Sequence, residues 1–331
     1  MLKLIDNKNI TDSTLNLAIE EYCVRNLDMK DDYLLFYIND PSVIIGKHQN
    51  TIEEINQDFV KENNIRVVRR ISGGGAVYHD KGNLNFSFMT AHSDKSMHNF
   101  KLFTGPVIKV LQELGVNAVL NGRNDITVNE RKISGNAQFT NTKSMFSHGT
   151  LLFDSDIENV VNALNVKGEK IESKGIKSVR SRVANIKEFL REDMDLNVFK
   201  NKLIHSIFSH ENNLPVYELS EGEWKKIYEL SESKYRTREW NYGRSPEFNI
   251  QKVRRFDFGQ IDARINVKDG NIKQIKIYGD FLGFGEMSDI ENKLTGVVYE
   301  ESILEESLRE FDLKNYFGKI KINEFISFLF N

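Results

Sequence analysis

The chain has 331 residues, enough at roughly 150 residues per domain for one large domain and a smaller one. A content of 40% hydrophobic and 28% charged residues excludes a disordered chain. The formal net charge of -3 gives no global reason to bind nucleic acid or an anionic membrane, so any basic site is local.

The segment Met1 to Asn9 turns polar before an apolar stretch of signal-peptide length develops, and no apolar run is long enough to span a bilayer. Cys23 is the single cysteine, so no intramolecular disulfide forms and a reducing, cytoplasmic setting is expected. Thr11-Asp12-Ser13 followed by Leu15, Ala18, Ile19, Tyr22 and Cys23 predicts a capped amphipathic helix to about Leu27, with Cys23 a small buried hydrophobe on its apolar face. Leu34–Ile38 and Ser42–Gly46, separated by Asn39-Asp40-Pro41, read as a hairpin. A helix over Ile52–Glu62, strands at Ile65–Arg70, Ala76–Tyr78 and Leu84–Met89, and a helix from about Lys101 to Leu114 come next. Further strands are expected at Asp125–Val128, Lys132–Phe139 and Phe146–Phe153. Strands dominate without a strict βαβ rhythm, which favours an α+β, mixed-sheet domain. Helices resume over Ile157–Leu164, Leu196–Phe208 and Glu221–Ser231. Tyr242-Gly243-Arg244-Ser245-Pro246 then breaks the pattern and suggests a boundary. Beyond it, Lys252–Phe258, Ile261–Val267 and Ile272–Tyr278 alternate as strands, and two helical stretches close the chain. The resulting division is 1–246 and 250–331. No internal repeat or heptad array is present.

Chemistry concentrates in four segments. Arg69-Arg70-Ile71-Ser72-Gly73-Gly74-Gly75-Ala76-Val77-Tyr78-His79-Asp80 combines glycines that let backbone N–H groups approach an anion with the charged fork of Arg70. It suits a phosphate or a carboxylate, and it matches neither a P-loop nor a dinucleotide-binding fingerprint. In Gly122-Arg123-Asn124-Asp125 and the following Lys132-Ile133-Ser134-Gly135, Asp125 is a carboxylate suited to magnesium. A turn at Asn129-Glu130 would bring Lys132 back to face the same ligand as Asp125. Phe146-Ser147-His148-Gly149-Thr150 places a histidine and a glycine in an apolar strand, where glycine often marks close approach of a ligand; His148 either touches that ligand or buttresses its pocket. Lys174–Val183, with Arg180 and Arg182, is a basic loop able to close over a nucleotide.

In this order the four segments, with the later Trp240-Asn241-Tyr242-Gly243, make the sequence resemble the lipoate-protein ligase family over nearly its whole length. The resemblance implies a biotin/lipoate ligase-like catalytic domain followed by a small C-terminal α+β accessory domain that reorients between two reaction steps. In the first step lipoate and ATP give lipoyl-AMP and pyrophosphate; in the second a lysine of the acceptor displaces AMP. It implies Lys132 between the lipoyl carbonyl and the α-phosphate, and Arg70, Gly75, Ala76, Val77, Tyr78, Asp125, Arg180 and Arg182 on ATP. Ser72, Gly73, Gly74, His79 and His148 would hold lipoate beside Lys132, and Asp125 is the candidate Mg2+ residue. ATP, Mg2+ and lipoate are then substrates and metal, with no tightly bound prosthetic group. The implied acceptors are lipoyl domains of oxo-acid dehydrogenase E2 subunits or the glycine-cleavage H protein. Neither nucleic acid nor membrane is a partner, and the chain is expected to be a monomer. An ATP-independent octanoyl or lipoyl transferase of the same fold is disfavoured because its cysteine nucleophile has no counterpart near Lys132. A biotin-protein ligase is disfavoured because its Gly-Arg-Gly-Arg loop is absent. An inactive lipoyl-domain binding module would have no use for the intact charged set.

Overall fold

Asp12 opens the first helix. In the computed structural model, which describes residues 1–93, 95–164, 182–208, 213–243 and 248–330, strand β1 (Leu2–Ile5) leads into helix α1 (Ser13–Asn26). The Asp12 carboxylate accepts the Thr14 N–H at 2.9 Å, satisfying one of the donors a helix start leaves free. It also pairs with Arg66 and, at 2.7 Å, with Arg236. Burial works to raise its pKa, but Arg66 and Thr14 outweigh burial and hold it below the ordinary 3.8. A carboxylate with a lowered folded-state pKa stabilises the fold above its unfolded value and ceases to do so as pH falls through the folded one. Asp12→Ala should therefore cost about 1–2 kcal/mol at neutral pH. In melts at decreasing pH its deficit should shrink below 3.8; a deficit that ignores pH would assign the effect to packing instead.

The helix is buried nearly all round, Glu20 and Glu21 included, so it is less amphipathic than its spacing suggests. Glu21 takes Lys234 at 2.7 Å and the Tyr235 hydroxyl at 2.7 Å, which is how a buried carboxylate is tolerated.

The expected hairpin does not form. Strand β2 (Asp32–Tyr37) joins a large sheet, whereas β3 (Ser42–Ile45) pairs in parallel with β4 (Arg66–Arg69) and antiparallel with β5 (Val77–His79) in a separate three-stranded sheet. Pro41 has no N–H to give a ladder. The Asn39 side chain is held by Asn16 and His79, so the chain crosses from one sheet to the next. The helix expected over Ile52–Glu62 is likewise two, α2 (Thr51–Glu54) and α3 (Gln57–Glu62), parted at Ile55, which bridges to Leu164.

The remaining strands of the large sheet are β6 (Asn83–Ala91), β7 (Val119–Asn121), β8 (Asp125–Val128), β9 (Arg131–Thr140), β10 (Ser144–Leu152) and β11 (Val216–Tyr217). Their order is β11-β1-β2-β6-β10-β9-β8-β7. β1 runs parallel to β2 and β11, and the other pairings are antiparallel. Both faces are covered, which explains the unbroken apolar run of β2. Leu34 and Phe36 pack towards α4 (Phe100–Glu113) and α6 (Leu196–Ile207), which follows the short α5 (Ile157–Ala163). Tyr33, Leu35 and Tyr37 pack towards α1 and α7 (Glu221–Leu230), together with Ile44 and Val68 of the small sheet. The short α8 (Arg238–Tyr242) follows.

The break expected from Tyr242 to Pro246 falls, from Arg244 on, outside the described residues. Beyond it β12 (Ile250–Phe256), β13 (Gly259–Lys268) and β14 (Asn271–Gly279) form an antiparallel meander. Asp269 and Gly270 both have positive φ, 52° and 76°, as a tight two-residue hairpin turn requires. Helices α9 (Met287–Leu294), α10 (Glu301–Ser307), α11 (Lys314–Phe317) and α12 (Ile322–Phe330), rather than the two expected, cover one face. They share with it a separate core that includes Ile261, Ile265, Ile275, Phe317 and Phe325. This unit rests on the rest of the chain where Gly279 donates to the His48 carbonyl at 2.8 Å and Phe281 stacks on the His48 ring at 4.8 Å. Among the described residues no helix is long and apolar enough to cross a membrane.

Candidate active site

The cavity that carries the candidate residues lies between the large and small sheets and encloses about 280 Å³. Its floor is a row of one residue per strand: Tyr37 on β2 faces Asn85 on β6, which faces Thr150 on β10; Thr150 accepts from the Gly135 N–H of β9, and Gly135 faces Asp125 on β8. At ~4.8 Å between strands, the row runs on the order of 14 Å from β2 to β9. One end is lined by Leu17, Tyr37, Ile44, Val77 and His79, and the other by Lys132, Asp125, Arg123, Arg255 and Asp280. Such a shape accepts an elongated apolar acid with its charge at the β8–β9 end.

Over the floor lies the glycine segment between β4 and β5. Gly74 has φ +90°, and a Cβ on Gly46 would lie 1.9 Å from its carbonyl oxygen, so the loop folds down at a point that admits no side chain. Arg70 holds it from below: its guanidinium donates to the carbonyls of Ile44 at 3.1 Å, Gly73 at 2.6 Å and Gly75 at 2.8 Å, and to Ser72 Oγ at 3.0 Å. Burial pulls its pKa down to about 10. With the loop carbonyls drawn towards Arg70, Gly74, Gly75, Ala76 and Val77 line the cavity. Tyr78 does not: strand alternation turns it into the core beside Val43 and Ile45, leaving only its backbone for a nucleotide. Ser72 is buried under the loop, and Gly73 is covered by the Phe281 backbone. Arg69 has a different task, donating to the carbonyls of Gly46, Gln49 and Trp240, while Asn241 Oδ1 accepts its N–H.

Lys132 and Asp125 meet as expected. Asn129 and Glu130 turn the chain with φ of 49° and 65°, and Lys132 Nζ lies 2.8 Å from Asp125 Oδ1. Both are part exposed, so the pair is open to ligand. Val183 bridges to Lys132 on that edge, so the end of the basic segment reaches the lysine; exposed Arg182 adjoins it, and Arg180 lies outside the described residues. Asp125 is one carboxylate, and the described residues hold no group of three or more His, Cys, Asp or Glu able to cage a metal. The donor set fits magnesium only as an ion held mainly by substrate phosphates.

His148 lines the cavity and is fixed on both nitrogens, by Ser72 Oγ at 2.8 Å and Glu20 at 2.9 Å. The order Glu20-His148-Ser72 is that of a hydrolase triad. However, Ser72 Oγ accepts from Arg70 and does not line the cavity, so the set braces the loop. Glu20 was not predicted, since nothing in a helix sequence says that a glutamate is buried. Arg123 and Asn136, also lining the cavity, stand within or beside the quoted Arg-Asn-Asp and Ser-Gly motifs and were legible there; Arg255 and Asp280 had no local signal. Cys23 is fully buried, and burial pushes its thiol pKa up.

Fold and site together define a carboxylate-activating ligase. Residues 12–208 match the lipoyl protein ligase A/B catalytic domain, and residues 245–329 the bacterial lipoate protein ligase C-terminus. The chain belongs to the lipoate-protein ligase family. It is 56% identical to the lipoate-protein ligase LplJ of Bacillus subtilis, over 98% of this chain and 99% of that one. It is 53% identical to lipoate-protein ligase 1 of Staphylococcus aureus, again over 98% and 99%. Among solved structures, LipL1 of P. falciparum in complex with lipoate superposes with a TM-score of 0.79 at 24% identity, covering 98% of each chain, and shares the fold. A bipartite ligase of Thermoplasma acidophilum, solved in a study of that ligase and its E2 lipoyl domain, gives 0.66 at 32% identity, over 75% of this chain and 98% of that one. A lipoate-protein ligase A bound with ATP gives 0.62 at 32%, over 73% and 98%.

Proposed function

We propose that the cavity runs both half-reactions of lipoate attachment: lipoate and ATP form lipoyl-AMP and pyrophosphate, and an acceptor lysine then takes the lipoyl group and releases AMP. The observation that carries this is the polarity of the cavity, apolar at β2 and cationic at Lys132. Bringing a carboxylate to an α-phosphate joins two anions, so the site must supply cations and N–H donors that favour the charge developing at phosphorus. Lys132 faces both oxygens, while Gly75 to Tyr78 offer backbone and Arg70 keeps that backbone in place. The lipoyl tail lies along the Tyr37–Asn85–Thr150 row between His79 and His148. Magnesium, beside Asp125, would offset phosphate charge; Arg180 and Arg182 would cover the nucleotide.

Residues 1–246 then do the chemistry, and 250–331 form an accessory unit that reorients to admit the acceptor. That acceptor is a lipoyl domain of an oxo-acid dehydrogenase or the glycine-cleavage carrier. The enzyme acts as a cytoplasmic monomer. The thiol reading loses support from the burial of Cys23. Pyrophosphate release should require ATP, magnesium and lipoate together, without acceptor, and Cys23→Ala should leave both release and transfer unchanged. Loss of transfer in Cys23→Ala with the fold intact would restore a cysteine mechanism; no release from the native protein would sink the adenylate.

A further inference from the structure

Behind the apolar end of the cavity runs a buried line of asparagines, Asn7, Asn16 and Asn39, ending on His79; none of the four is more than 7% exposed. Its polarity is set from the backbone. The Asn7 side-chain oxygen accepts the Asn9 N–H at 3.1 Å, which turns its amide nitrogen to Asn16 Oδ1 at 3.0 Å. Asn16 then donates to the Ile10 carbonyl at 2.9 Å and to Asn39 Oδ1 at 2.9 Å. Asn39 has only its amide N–H left, and directs it to His79 Nδ1 at 2.9 Å. A neutral imidazole that accepts at Nδ1 carries its proton at Nε2. That Nε2 is buried and has no partner among the described residues, although the ring lines the cavity. A buried donor left unpaired is destabilising, a cost that a ligand acceptor would remove.

We infer that Asn39 is a positioning residue that locks His79 as a neutral Nε2–H donor, and that this donor reads the dithiolane sulfur of lipoate, selecting it over a plain alkyl acid of equal length. The inference rests on the lipoate reading above. Three features support it. His79 stands beside the end of β2, away from Lys132, where the tail of an acid anchored at Lys132 arrives. Burial, Arg70 and His148 take the ring pKa down to about 3, so no proton joins Nδ1 near neutrality and the donor is never doubled into a cation that an apolar tail would have to face. A saturated terminus offers no acceptor, whereas a ring sulfur offers a weak one.

The test uses the full-length protein labelled with 15N-histidine, the His79 signal being assigned by its loss in His79→Gln. The native signal should be that of an Nε2-protonated neutral ring, unchanged between pH 8 and pH 5 within the span set by a pKa of about 3. Asn39→Asp puts an anionic acceptor against Nδ1, draws the proton there, and turns Nε2 into an acceptor. kcat/KM for pyrophosphate release with lipoate should fall about tenfold, the equivalent of one modest hydrogen bond, while that with octanoate should stay within about twofold. Asn39→Leu, which breaks the line without adding charge, should lose selectivity in the same direction and serves if the aspartate variant does not fold. An Nδ1-protonated native ring overturns the proposal, as does an equal loss on both acids or a lipoate preference that survives the tautomer change. If the native protein activates neither acid, the ligase reading itself falls, a result distinct from activation with unmoved selectivity.

Discussion

Lys132→Ala is expected to lower lipoate-dependent pyrophosphate release by about 10²- to 10³-fold, the usual consequence of removing one preorganised charge or donor from a transition state, while the protein melts nearly as before. The fold should tolerate the change because Lys132 is part exposed and its one charged partner among the described residues, Asp125, is too; an ion pair of that kind contributes ~0–1 kcal/mol. Arginine should restore little. A guanidinium matches the Asp125 carboxylate two-pronged, which would hold it away from the substrate. The corner is also tight: a Cβ on Gly135 would lie 2.9 Å from the lysine Nζ. The measurement is single-turnover pyrophosphate release alongside a melting curve. Full activity in Lys132→Ala would remove the lysine from the chemistry.

Arg70→Met should cost stability and activity together. Methionine keeps much of the volume but withdraws every donor, leaving the carbonyls of Ile44, Gly73 and Gly75 without the hydrogen bonds Arg70 gives them. Each buried group left unpaired costs about 1–3 kcal/mol. Part of that is offset because a guanidinium is no longer buried, the same penalty that takes its pKa down to about 10. A net loss of about 2–4 kcal/mol in denaturant unfolding follows, with a fall in adenylation at saturating ATP and lipoate if the loop backbone faces the α-phosphate as proposed. Unchanged stability would mean that the loop carries its own shape.

The parts of the site legible in the sequence are those whose chemistry is written within a few residues. The glycine segment and the Asn129-Glu130 turn that returns Lys132 to Asp125 depend on local backbone rules, and they sit where those rules put them. The Tyr78 side chain faces the core because the same period of two that aims Val77 and His79 at the cavity turns it away, which leaves its backbone for the role expected of it. The hairpin failed for a different reason. Asn39-Asp40-Pro41 has turn chemistry, but the partners of β2 and β3 are β1, β6, β4 and β5, and no local signal ranks those pairings above each other. Glu20, Asn39 and the asparagine line were invisible because each is an ordinary polar residue until a distant element buries it. His48, meeting Phe281 of the last unit, is the same case.

On the proposed reading, the floor of the cavity also bears on how an acyl chain would be measured. Tyr37, Asn85, Thr150, Gly135 and Asp125 come one from each of five neighbouring strands, so a substrate laid along this floor, as proposed, would cross the strands like weft across warp. Its ruler is graduated in strand widths of ~4.8 Å, several methylenes to the division, and no sliding of a helix can shift it by less. Coarse chain length would then be built into the hydrogen-bond ladder, beyond the reach of point substitutions in the middle of the tract. Fine adjustment would fall to the side chains that close the last division, Tyr37 on β2 with Leu17, Ile44, Val77 and His79, and evolution towards a shorter or longer acid would begin among them.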